Sequence, residues 1–163
     1  RASRHGMKLT SKKDIEGSID KVWAAMSDFE AWERAAMRRG AEVSRTDTLQ
    51  RPAVGMAWLT RFIYRGKERK VEVKLTEMSP RTLLGFDAKS SVVEAETRIE
   101  LIEMSAKRTR IHVSMEVKPR SLGARLFMQS LRLARTKVDR KFDSRIDKLA
   151  KEMEQRLGAA GRT

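Results

Sequence analysis

From Trp58 to Val117, apolar side chains recur at every second position through one segment after another, and each segment ends in a turn. A period of two fits a strand with one dry and one wet face, and segments repeated this way build an antiparallel sheet covered on one side. In MAWLTRFIY, Trp58, Thr60, Phe62 and Tyr64 share a face. RGKE turns the chain, and RKVEVKLTEM answers with Val71, Val73 and Leu75 set against Lys70, Glu72 and Lys74. After Ser79-Pro80, Leu84, Phe86 and Ala88 share a face, followed by Val93, Ala95, Thr97, Ile99 and Leu101, then by Ile111, Val113, Met115 and Val117. MKLTSKKDI near the start and AEVSRTD after Gly40 read as further strands, giving a sheet of about seven.

Such a face has to be covered, and helical periodicity appears on both sides of the strand region. Ile19, Val22, Trp23 and Met26 fall at i, i+3, i+4 and i+7, with Ser18 as N-cap and Asp20 in the first turn. The pattern then restarts. Ser27 and Glu30 fit an S-x-x-E capping box, and Phe29, Trp32 and Ala36 form a second stripe ending near Gly40. Beyond Pro119, Phe127, Leu131, Ala134, Val138, Phe142, Ile146, Leu149 and Met153 read as the stripe of one long helix. On its other faces Asp139, Asp143 and Asp147 alternate with basic residues, as solvated ion pairs would. The fold class is α+β: a curved antiparallel sheet, two short helices and one long C-terminal helix.

Nothing divides the 163 residues, so a single domain over 7–157 is expected, with 1–6 a polar leader and 158–163 a frayed tail. The chain has no cysteine, which excludes disulfides, thiolate metal sites and cysteine nucleophiles. Of the two histidines, His5 lies in the leader and His112 alternates to the outside of the sheet. Glu94, Glu96, Glu100 and Glu116 also fall on outward positions, and neither a Gly-rich phosphate loop nor a G-x-S-x-G elbow occurs. No catalytic residue, metal or cofactor is assigned on these grounds, and a carrier is favoured over an enzyme. With no apolar run approaching about 18 residues and no signal-peptide pattern, a soluble, cytoplasmic protein is expected.

A formal net charge of +14 admits anionic partners. Because the basic residues are spread along the chain, a general solubility role is the simpler reading. Arg132, Arg135, Arg140 and Lys148 are the candidates for contact with an anionic membrane surface or RNA.

Three stretches carry a family likeness. Ser18-Ile19-Asp20-Lys21-Val22-Trp23 resembles the helix-opening S-x-x-x-V-W of the START-like superfamily, also called SRPBCC. Ser27-Asp28-Phe29-Glu30-Ala31-Trp32 resembles its second-helix start, and Gly55-Met56-Ala57-Trp58 with the following hairpin resembles its third strand. That group includes polyketide cyclase-like, birch pollen allergen-like and lipid-transfer domains. The resemblance implies a helix-grip fold with a cavity between the sheet and the C-terminal helix, used by many relatives for hydrophobic small molecules or lipids. The residues expected to line it are Met26, Phe29, Trp32, Trp58, Thr60, Phe62, Val73, Leu75, Leu84, Phe86, Thr97, Ile99, Val113 and Met115, with Leu131, Ala134, Val138 and Phe142 from the helix. Two alternatives stand beside such a carrier: a cyclase- or aromatase-like enzyme holding substrate with Trp58, Thr60 and Thr97, and a basic module for RNA, ribosome or membrane.

Overall fold

The computed structural model describes residues 6–160; His5 with the rest of the leader up to it, and residues 161–163, lie outside the described residues. Strand β1 (Met7–Glu16) leads into helices α1 (Ile19–Met26) and α2 (Phe29–Arg38). Six strands follow: β2 (Glu42–Arg45), β3 (Ala57–Tyr64), β4 (Lys67–Ser79), β5 (Leu83–Lys89), β6 (Val93–Ser105) and β7 (Arg108–Pro119). Helices α3 (Leu122–Leu133) and α4 (Arg135–Ala160) complete the chain. All pairings are antiparallel, in the order β1-β7-β6-β5-β4-β3-β2.

The register turns the alternating pattern into rows across one face. Leu75, Phe86, Thr97, Met115 and Leu9 are successive neighbours, and Leu84, Ile99, Val113 and Ser11 form the next row. Two backbone devices shape the sheet. The β3–β4 turn puts Arg65 at φ 52° and Gly66 at φ 74°, the left-handed pair of a tight hairpin. A bulge between Leu75 and Glu77 faces Gly85, where an added Cβ would lie 2.9 Å from Glu77 Cβ, so glycine is required for the close approach.

Helix starts follow local chemistry, with one correction. Ser18 caps α1 by accepting from the Lys21 amide at 3.3 Å. At α2 the cap is Asp28, which accepts from the Ala31 amide at 3.2 Å, whereas the Ser27 hydroxyl donates back to the Trp23 carbonyl at 2.7 Å. The expected Ser27 capping box therefore does not form. Ser27 closes α1, and the Asp28 carboxylate opens α2.

The C-terminal helical stretch also differs from the uninterrupted helix expected. It breaks at Ala134, whose amide donates to Leu131 O three residues back, and the helix resumes with the Val138 amide on Ala134 O. Arginines on either side of the break hold β1: Arg132 donates to Gly6 O at 2.9 Å and Arg135 to Lys8 O. Beyond it, α4 packs across β1 and against α1, with Phe142, Ile146, Ala150 and Met153 buried among Ile15, Val22, Met26 and Ile111. Asp143 leaves the expected surface rows to accept from Ser11 (2.6 Å) and Lys13 (2.8 Å) on β1, which holds its carboxyl below the usual range. Asp139 and Asp147 do pair along the helix, with Arg135 and Lys151.

The β2–β3 connection is tied by Asp47. Its carboxylate accepts both Arg45 guanidinium bonds (2.7 and 2.5 Å) and the amides of Leu49 and Ala57 (2.8 Å each). The Arg45 bonds first, then the Ala57 amide, hold the Asp47 pKa well below the ordinary carboxylate value.

Two outcomes follow. Met153→Ala, at a fully buried position, is expected to cost about 2–5 kcal/mol in urea unfolding, while Lys148→Ala changes it by less than about 0.5 kcal/mol. Because the folded-state pKa of Asp47 is depressed, its stabilisation is complete above the unfolded value of about 3.9 and is lost as pH falls below it. Asp47→Asn should thus lower the unfolding midpoint at neutral pH, with the gap to the parent closing between about pH 5 and 2.

Candidate functional site

Helix α2 crosses the β2–β5 half of the sheet, and its period puts Phe29, Trp32, Glu33 and Ala36 on the face turned inward. Phe29 is the wedge. Its ring centroid lies 5.6 Å from Trp58 and 6.3 Å from Phe86, the latter edge-on at 84°. Trp32 is fixed from both ends: its indole N–H donates to Met26 O at 2.9 Å, and Arg156 of α4 lies 5.4 Å over its ring. Arg45, already clamped by Asp47, lies 5.8 Å over Trp58.

Between these rings and the strands an apolar cleft of about 160 Å³ opens, lined by Phe29, Trp32, Glu33, Ala36, Val43, Trp58, Thr60, Val73 and Phe86. Two polar atoms of these lining residues lack hydrogen-bond partners. Glu33 Oε2 and Trp58 Nε1 are both buried without a hydrogen bond. Buried polar groups are nearly always satisfied, so an orphaned carboxyl oxygen and an orphaned indole N–H in one apolar cleft need a reason. The carboxyl oxygen can only accept when ionised, and the indole N–H can only donate.

A larger hollow of about 710 Å³ lies on the convex face of the sheet, among Arg61, Glu68, Lys70, Glu72, Lys89 and Arg120. Its four basic and two acidic side chains leave it with a positive balance and a largely polar lining.

Of the residues expected to line a cavity, Phe29, Trp32, Trp58, Thr60, Val73 and Phe86 meet in the cleft. Met26, Leu75, Leu84, Val113 and Phe142 are buried in the core, while Phe62, Thr97, Ile99, Met115, Leu131 and Val138 are half-buried. Ala134 is exposed at the helix break, and Phe127 is exposed where Met128 takes the inward position. The apolar cleft thus lies under α2, whereas Phe142 and Ile146 of α4 pack solidly against β1. Glu33 and Val43 were not anticipated. The signal for Glu33 was present, since it stands four residues after Phe29 on the inward stripe of α2.

Among the anionic-surface candidates, Arg132 and Arg135 are engaged with β1, and Arg140 and Lys148 are exposed on α4. His112 lies on the convex face between Lys12 and Glu100. Among the described residues, no group of three or more His, Cys, Asp or Glu side chains is placed to hold a metal ion, and no helix is long and apolar enough to cross a membrane.

Comparison with known proteins bears on the same architecture. The fold is similar to that of the Zhui aromatase/cyclase from Streptomyces sp. R1128, with a TM-score of 0.67 and 15% identity over 96% of this chain and 99% of that one. It is also similar to a START superfamily protein from Mycobacterium smegmatis (TM-score 0.65, 13% identity, 94% and 98% covered) and to Ara h 8.0201 (0.65, 10%, 94% and 99%). At such identities the likeness is one of fold. No curated protein matches the sequence. Residues 7–154 match the family described as polyketide cyclase / dehydrase and lipid transport, and the chain belongs to that family, within the START-like, helix-grip group.

Proposed function

We propose that the protein binds a small, ring-containing apolar molecule in the cleft under α2, and that the ligand carries a hydroxyl group that donates to Glu33 and accepts from Trp58. The observation that carries this reading is the pair of orphaned atoms, Glu33 Oε2 and Trp58 Nε1, in an otherwise apolar lining. Apolar walls with a few fixed polar groups are the usual make-up of small-molecule sites, the walls supplying affinity and the polar groups orientation. The aromatic rings of Phe29, Trp58 and Phe86 in the lining suit a flat ligand through stacked and edge-on contacts. Family membership supports a ligand-binding role in general.

A second reading is favoured by the same carboxyl. A carboxyl with one oxygen unbonded in the lining of an apolar cleft is placed to move a proton during cyclisation or dehydration, the chemistry in the family's description. Glu33 would be the acid–base group, with Trp58 donating to a substrate oxygen. Turnover of an aromatic polyketide precursor that Glu33→Gln abolishes while leaving binding intact would support it; absence of turnover leaves the carrier.

The binding test uses 2-naphthol and 2-methoxynaphthalene, which share a ring system but differ in the hydroxyl hydrogen. Calorimetric titration should show 2-naphthol binding about tenfold tighter, because only it donates to Glu33. In Glu33→Leu the two should bind alike, and Phe29→Ala should weaken both. Equal affinities in the parent protein, or no binding of either probe, would contradict the proposal.

A further inference from the structure

Helix α3 has two apolar faces, and only one of them is used. Met128 is buried, with Ala124 and Leu131 half-buried beside it, where the helix packs on the end of β7. On the opposite side Leu122, Leu126 and Leu133 fall in one line at i, i+4 and i+11, with Phe127 beside them. These four residues are between 57% and 91% exposed. Val92 of the β5–β6 turn, also exposed, adjoins the start of the helix, since the Arg120 amide donates to Val92 O at 2.7 Å.

Along the chain through this helix the charge has one sign, although Lys118 lies opposite Glu94, Arg120 shares a hollow with Glu68 and Glu72, and Arg135 pairs with Asp139. From Lys118 to Val138 the sequence contains no aspartate or glutamate, while Lys118, Arg120, Arg125, Arg132, Arg135 and Lys137 all fall within it. Arg125 and Arg132, seven residues apart, border one side of the leucine line. The register puts the β3–β4 hairpin tip, with exposed Ile63 and Tyr64 beside Arg61, Arg65 and Lys67, at the same end of the sheet as the β5–β6 turn and the end of β7.

We infer that the outer face of α3 is a docking surface for an anionic lipid bilayer, the leucines entering the acyl boundary while the arginines and lysines meet the headgroups. Leucines in a line with basic residues along their edge are the pattern of a helix lying in a membrane interface, and long basic side chains can reach up to the phosphates while their stems stay in the apolar layer. Charge complementarity selects this occupant. A second copy of the chain would press two acid-free, basic faces together. RNA would meet the charge but gain nothing from the leucines, and α3 presents no aromatic platform beyond Phe127. This surface is separate from the cleft under α2, and the inference does not depend on what the cleft binds.

The test is co-sedimentation of the full chain with vesicles of phosphatidylcholine alone or with about 30% phosphatidylglycerol. Binding to the anionic vesicles alone is expected, weakening as salt rises to about 0.5 M. Leu126→Glu with Leu133→Glu, at exposed positions, should reduce it about tenfold or more with an unchanged thermal melt. Arg125→Glu with Lys137→Glu should do likewise. Because the chain has no cysteine, Leu133→Cys carrying an environment-sensitive fluorophore gives an independent readout, with a blue shift expected on the anionic vesicles. Equal binding to both vesicle types, retention undiminished by the leucine variants, or no blue shift would overturn the inference. So would a mass in solution of two chains that the leucine variants reduce to one, or a preference for an RNA homopolymer that those variants leave unchanged.

Discussion

A seven-stranded antiparallel sheet with a single apolar face has to be covered, and most of this structure is the way that cover is divided among helices. The β1–β7 side is closed by α1 and α4, where Ile15, Val22, Ile111 and Met153 exclude water almost completely. The β2–β5 side is covered by the ten residues of α2. At a rise of about 1.5 Å per residue, that helix is about 15 Å long. It holds its place by inserting Phe29 between Trp58 and Phe86, and the space left beside that wedge is the cleft.

Around the cleft, charges outside the apolar lining fix the aromatic rings within it. Asp47 holds Arg45, Arg45 lies over Trp58, and Arg156 lies over Trp32 from the far helix. Rings held from outside keep their positions whether or not the cleft is occupied, which lowers the ordering cost of binding a flat molecule. Among the described residues, Glu33 Oε2 and Trp58 Nε1 are the buried side-chain polar atoms without a hydrogen-bond partner.

Much of the fold was legible because it rests on periodicity. The alternation from Trp58 to Val117 specified the strands and their inward faces, and Ser18 marked the start of α1. Features settled by geometry beyond one element were not legible. The stripe through Met128, Leu131, Val138 and Phe142 keeps helical phase across Ala134, so the break there leaves no trace in the pattern. Ser27 and Asp28 are both good caps, and only backbone direction decides between them. Asp143 could be placed on its helix from sequence, but not opposite Ser11 and Lys13, which lie some 130 residues earlier. At the site, the aromatic lining was readable as apolar stripe, whereas Glu33 was absent from the expected lining. Its position in the helical period, not its chemistry, puts it inside.

The two apolar features left open, the cleft and the outer face of α3, lie on different elements and have different electrostatics: the cleft contains a carboxyl, while α3 stands in an acid-free basic segment. A carrier would need both, one to hold the molecule and one to meet the surface from which it comes. The measurement that bears most directly on the central claim is the indole N–H resonance of Trp58, assigned with Trp58→Phe and followed by NMR during titration with 2-naphthol. A downfield shift that saturates with the ligand, and is smaller with 2-methoxynaphthalene, is the expected result, since an orphaned donor would be gaining an acceptor. A resonance that stays fixed while 2-naphthol binds elsewhere would contradict it.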